Sequence, residues 1–342
     1  MIAKLVPAGC APIQVGPCPP STATRNVYYG YDIRGLQLYA RFDSPTGNGI
    51  TNAYDGFGRL TSSTTSIAGL GGMVSSQYDA DGNRTRVTHP DGAHFDSVYD
   101  AADRLQYTDP TTAGGVGPYR MLTIAYDPLG RRATMKPASS YIYYGYDAVS
   151  RLNSQTQHFA GSVGDTADTL GYNPASQIVS EARSNNSFVF TGGVAVTRPY
   201  VVNGLNQYVT AGAASLTYDA DGNLSFDGSS TYGYDAENRL ISATGAKTAN
   251  LVYDPLGRLW QTSGGPAGVT DFLHDGDQIA AEYNGSGAIL RRYMWGPGID
   301  EPIVWDEGGA LACGSPQAPT TRVLHADHEG SVIAYPWPAG KA

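Results

Sequence analysis

Lysine is almost missing from this chain, standing only at Lys4, Lys136, Lys247 and Lys341 of 342 residues. Charged residues of every kind reach just 15%, and the net charge is -9. A phosphate backbone demands a concentrated basic face, so this balance argues against nucleic acid as a partner. No run is long and apolar enough to span a membrane, and no stretch carries an amphipathic helical period. Cysteine is scarce too. Cys10, Cys18 and Cys313 cannot close a disulfide framework, spacing alone does not pair Cys10 with Cys18, and no Cys/His set stands at zinc-finger spacing. The apolar run before Cys10 is too short for an export signal, which implies cytoplasmic residence if the chain is made as it stands. A phosphate-binding glycine loop, a nucleophile elbow and a catalytic triad pattern are all missing, so the chain reads as a non-enzyme without a cofactor.

What the chain has in plenty is tyrosine and turn formers: 24 Tyr against 8 Phe, with 43 Gly and 21 Pro. Ten of the tyrosines open one short phrase, Tyr-Asp, two variable residues, then a small residue, most often followed by Arg and an aliphatic. The phrases start at Tyr31, Tyr54, Tyr78, Tyr99, Tyr126, Tyr146, Tyr172, Tyr218, Tyr234 and Tyr253, with Asn173 replacing Asp in the seventh. Their spacings are 23, 24, 21, 27, 20, 26, 46, 16 and 19 residues, and a recurrence of this size marks a repeat architecture. The gap of 46 leaves room for a degenerate copy near Gly204-Leu205-Asn206-Gln207-Tyr208.

Turn chemistry says what each phrase builds. In Asp127-Pro128-Leu129-Gly130-Arg131 and Asp254-Pro255-Leu256-Gly257-Arg258, Asp caps a type I turn, Pro presets φ, and Gly takes the positive φ that closes a hairpin through a bulge. The turn residues are therefore Asp32, Asp55, Asp79, Asp100, Asp127, Asp147, Asp219, Asp235 and Asp254, with Gly35, Gly58, Gly82, Gly130, Gly222 and Gly257. Asp103 and Asn238 fill the glycine slot with types that tolerate the left-handed region. Ser150 and Ser176 suit it less, which predicts looser turns there, and the Tyr172 copy is expected to lose its bulge. Between tips the chain alternates polar and apolar, as in Leu60-Thr61-Ser62-Ser63-Thr64, so these are strands with one wet face. The repeated Arg59, Arg104, Arg131, Arg151, Arg239 and Arg258 are expected to lie over a neighbouring Tyr or pair with a carboxylate.

Three segments follow. Residues 1–25 are irregular and Pro-rich, 26–265 hold the hairpin array, and 266–342 carry a different pattern that includes a flexible loop over 308–321. Asp275-Gly276 and Asn284-Gly285 are hairpin dipeptides, so strands continue past residue 266. His325, Asp327 and His328 are the best candidates for metal chemistry, but alternate strand residues face opposite sides, and a turn or packing role is favoured over metal. Asp79-Ala80-Asp81-Gly82-Asn83 places its Gly too early for a calcium loop and has no closing glutamate.

The ten phrases, then Tyr293-Met294-Trp295-Gly296-Pro297-Gly298-Ile299-Asp300-Glu301-Pro302, then His325-Ala326-Asp327-His328-Glu329-Gly330-Ser331, together resemble the rearrangement-hotspot (RHS), or YD-repeat, family of bacteria. The resemblance covers nearly everything after Arg25. It implies an all-β fold of antiparallel β-hairpin repeats in a curved or spiralling YD-repeat sheet, here a partial β-shell. It also implies a non-catalytic scaffold of a polymorphic toxin, secreted or at the cell surface within a larger protein. Its partners would be a toxin domain, remaining shell segments, and secretion-apparatus proteins. Family motif positions on this sequence are Gly296, Pro297, Gly298, Asp300, Glu301, His325, Asp327, His328, Gly330 and Ser331. The family continues past this point with a self-cleaving junction and a toxin; none follows Ala342, so autoproteolysis and toxicity are not carried over. A second function class is a surface module in which Tyr141, Tyr143, Tyr144, Trp260, Trp295, Trp305 and Trp337 stack on carbohydrate or a partner protein.

Overall fold

A computed structural model describes residues 2–4, 25–67, 70–112, 115–116, 120–138, 140–159, 164–189, 191–308 and 321–334. The Pro-rich start, the three cysteines, Trp337 and nearly all of the 308–321 loop lie outside the described residues. Those described form an all-β protein: its regular elements are strands, and neighbouring strands pair antiparallel in chain order. This meander follows from the sequence, because a turn only a few residues long can join two strands only side by side and head to tail.

The chain divides into two compact units. One comprises residues 1–73, 193–273 and 282–288; the other comprises 74–192, 274–281 and 289–342. In the first, Val27, Ala40, Phe42, Ile50, Ala243, Trp260 and Leu273 are buried. The second has the larger apolar cluster, in which Phe95, Leu105, Leu122, Ile124, Met135 and Ile142 meet Met294, Ile303, Val304 and Val323. Tyr99, Tyr126 and Tyr144 pack on its rim. Alternation supplies these cores: Leu122–Tyr126 buries Leu122 and Ile124 and leaves Ala125 exposed. The strands past residue 266 continue the sheet, with Ile289–Trp295 pairing Pro302–Glu307 and the latter pairing Thr321–Val323. Among the described residues no helix is long and apolar enough to cross a membrane.

Candidate functional site

Each tip is built the same way. At Asp127 the backbone N–H donates to Arg131 O at 2.9 Å, and Gly130 N–H donates back to Asp127 O at 2.9 Å. The carboxylate fills the hollow: Oδ1 accepts the N–H of Leu129 and of Arg131, both at 2.9 Å, and Oδ2 accepts Arg131 Nε at 2.7 Å. Asp55, Asp100, Asp147, Asp235 and Asp254 repeat this set with Arg59, Arg104, Arg151, Arg239 and Arg258. Asp79 and Asp219 use Asn83 and Asn223 instead, and Asp32 uses Arg34. Hydrogen bonds to the charged form favour it. The guanidinium and N–H of Arg104 hold the Asp100 carboxyl down to about 2, and at Asp55 the Arg59 N–H leads the same effect.

Gly35, Gly58, Gly82, Gly130, Gly222 and Gly257 sit at φ between 81° and 97°, and Asp103 and Asn238 hold the same slot at 56° and 60°. Ser150 and Ser176 depart from expectation. They take φ of 69° and 61° and close the same turn, Ser150 N–H to Asp147 O and Ser176 N–H to Asn173 O, both at 3.0 Å. The Tyr172 copy also keeps its bulge, with a register shift between Gly171 and Tyr172. The surrounding donors over-determine the backbone, so the slot tolerates a side chain that its intrinsic preference disfavours.

Successive hairpins are tied by the tyrosines. Tyr126 Oη donates to Leu105 O at 3.0 Å, Tyr146 Oη to Arg132 O at 3.0 Å, Tyr172 Oη to Leu152 O at 2.6 Å and Tyr253 Oη to Leu240 O at 2.8 Å. Tyr54, Tyr99, Tyr218 and Tyr234 do the same to Gln37, Arg84, Tyr208 and Leu224. In every case the acceptor is the fifth residue after the preceding turn's Asp or Asn. The arginine of that preceding turn lies over the tyrosine ring, Arg104 at 4.5 Å from Tyr126, Arg131 at 4.3 Å from Tyr146, Arg151 at 4.6 Å from Tyr172 and Arg239 at 4.7 Å from Tyr253. One arginine thus serves a carboxylate in its own turn and a ring in the next.

The degenerate copy is a full turn centred on Asn203, whose Oδ1 accepts from Leu205 and Gln207, with Asn206 at φ 59°. Sequence reasoning missed two further turns. Asn284 Oδ1 accepts from Ser286 and Ala288, with Gly287 at φ 79°. Asp327 Oδ1 accepts from Glu329 and Ser331, with Gly330 at φ 87°. The Asp/Asn-x-x-Gly spacing without its Tyr was the signal available for both.

This turn separates the two histidines of the last motif. His325 is fully buried against Phe159, ring centroids 4.1 Å apart, and its Nδ1 meets Gln157 Oε1 at 2.9 Å. Gln157 Nε2 already donates to Ala326 O at 2.9 Å, so Gln157 Oε1 is the acceptor and His325 Nδ1–H the donor. Burial pushes the imidazole down to about 4, so it stays neutral. His328 is only half-buried and lines a cavity. Among the described residues no trio of His, Cys, Asp or Glu is grouped as a metal site.

That cavity, about 340 Å³, brings both C-terminal motifs together. Gly298 to Pro302 form one wall and Ala326 to Gly330 another, with Arg132, Tyr144 and Gln155 between. Gly296, Pro297 and Ser331 do not line it. Arg132 forks onto Glu301, Nη2 to Oε2 at 2.8 Å and Nη1 to Oε1, while Glu301 Oε2 also accepts Gly298 N–H at 2.8 Å. Burial pushes the Tyr144 phenol up to about 12. The aromatic residues do not form an exposed row: Trp260 is 2% exposed, Trp295 and Trp305 are half-buried, and only Tyr141 and Tyr143 stand open side by side.

Residues 54–94 match the family model described as RHS Repeat. Over 101 residues, 28% of this chain, the sequence is 32% identical to the tRNA nuclease WapA of Bacillus subtilis (strain 168) and to the tRNA3(Ser)-specific nuclease WapA of Bacillus spizizenii. The aligned part spans 4% of each of those relatives. Among solved structures, the crystal structure of TcdB2-TccC3 aligns with 91% of this chain and 22% of that one, with a TM-score of 0.43 and 12% identity. Its form without the hypervariable C-terminal region aligns with 90% and 18%, with a TM-score of 0.40 and 10% identity. By the matched repeat, and by the recurrence of the same Tyr-Asp turn along the chain, this is an RHS-repeat protein.

Proposed function

We propose that the chain is a non-catalytic wall segment, which encloses or presents a passenger toxin that is a separate domain or polypeptide. The observation that carries this reading is the inter-hairpin tie. A residue set repeated at every tip, with its carboxylate, guanidinium and phenol all spent on neighbouring turns, stiffens a sheet and leaves no group for turnover. In this reading residues 26–265 are the repeat array and 266–342 its core-like continuation, and partners are further shell segments, the passenger and secretion-apparatus proteins. The protein would be secreted or cell-surface as part of a larger assembly.

The test is co-expression with the polypeptide encoded directly downstream of the chain's own reading frame, followed by limited proteolysis. Protection of that polypeptide only when the chain is present supports the wall. Equal digestion with and without the chain, or binding of sugars on a glycan array with no passenger, overturns it.

A further inference from the structure

The cavity of about 340 Å³ falls in the size class of small-molecule pockets, and its polar atoms say which chemistry it accepts. Gln155, 4% exposed, lines it, and its Nε2 donates to Ala326 O at 2.9 Å. That bond fixes the amide orientation, because a flip would set two carbonyl oxygens against each other. Its Oε1, fully enclosed, has no hydrogen-bond partner among the described residues. An enclosed acceptor without a donor is costly and is served by a bound group that carries N–H or O–H.

Charge narrows the choice. Arg132 is the one Lys or Arg in the lining, and both its terminal nitrogens go to Glu301. Asp300, Asp327 and Glu329 add three more carboxylates, so the lining is net acidic. Arg183, which influences Asp327, is itself held by Asp168 at 2.7 Å. Between the polar groups lie Met135, Ile142, Leu152, Ile303 and Leu324, and Tyr144 adds an aromatic face. Anions are repelled, and a neutral apolar guest leaves Gln155 Oε1 unserved.

From this juxtaposition we infer that the cavity is a binding site for a small organic cation with N–H donors and a short apolar stem, of the alkylguanidinium or alkylammonium class. Its head donates to Gln155 Oε1 beside the Tyr144 ring, and its stem lies on the aliphatic wall. The site is independent of whether the chain encloses a passenger.

Calorimetric titration of the full chain with n-butylguanidinium and n-butylammonium, against uncharged n-butylurea and anionic valerate, tests the assignment. One saturable site is expected for at least one cation, with butylurea weaker by about tenfold and valerate not bound. Gln155→Met removes the acceptor and should weaken the cation by about tenfold. Asp300→Asn, at an exposed residue with φ 48° that Asn tolerates, should weaken it by about threefold and leave the fold unchanged. Absence of saturable cation binding, equal affinity for butylurea, or unchanged affinity in the folded Asp300→Asn variant overturns it.

Discussion

Tyr126 reaches back to Leu105, its hydroxyl 3.0 Å from the carbonyl oxygen, while Arg104 covers its ring at 4.5 Å. The donor belongs to one hairpin and the acceptor to the hairpin before, so this bond reports on stacking rather than on turn formation. Tyr126→Phe keeps the ring under Arg104 and removes only the hydroxyl. A loss of roughly 1 kcal/mol is expected in urea denaturation, and Tyr126→Ala should cost clearly more. Equal losses for the two would assign the whole effect to the ring.

The glycine slot offers an internal control, because Asn238 and Ser150 occupy it at φ 60° and 69° in their own turns. At Gly130, φ 81°, an added Cβ meets only the flexible end of Arg104, 3.3 Å away. Backbone strain should therefore decide the outcome. Gly130→Asn is expected to lower the melting temperature slightly, whereas Gly130→Val should cost roughly 1–2 kcal/mol more, since a β-branched residue resists this region.

Arg132 and Glu301 face each other across the cavity with side chains 24% and 20% exposed. Glu301→Ala strands a half-buried guanidinium and frees Gly298 N–H, so roughly 2 kcal/mol of stability should go. The pair Arg132→Met with Glu301→Ala should cost less than the sum of the two single changes, as a double-mutant cycle in urea would show.

Acid should act in two stages. Burial lowers His325 to about 4 and His89 to about 3, so the unfolded chain, with His near 6.5, takes up these protons first. Stability is then full above pH 6.5 and falls as pH drops toward 4, at most about 1.4 kcal/mol per unit for each histidine. Asp100 runs the other stage: its stabilisation is present above pH 3.8 and is lost as pH falls through about 2. Denaturation midpoints between pH 7 and 3 test this, and His325→Leu should make the upper stage shallower.

The turns were legible because their chemistry is complete within five residues. Asp127, its Gly130 slot and its Arg131 partner all lie in the phrase that names them, and the positive φ at Gly130 follows from letters alone. The turns at Asn284 and Asp327 escaped notice because they keep the cap and the glycine but lack the Tyr that flagged the others. The serines of the slot were misjudged for a related reason: a residue's own preference was weighed, and the donors around it were not.

By itself the sequence determined an all-β repeat of antiparallel hairpins, since each reverse turn is local and alternation assigns every strand a buried side. Only the tertiary structure decided that Tyr126 answers Leu105, that Gly298 to Pro302 come to face Ala326 to Gly330, and that Gln155 lacks a donor between them. Those meetings join residues from 21 to over 100 positions apart. They depend on strand pairing summed over several hairpins, which no single phrase encodes.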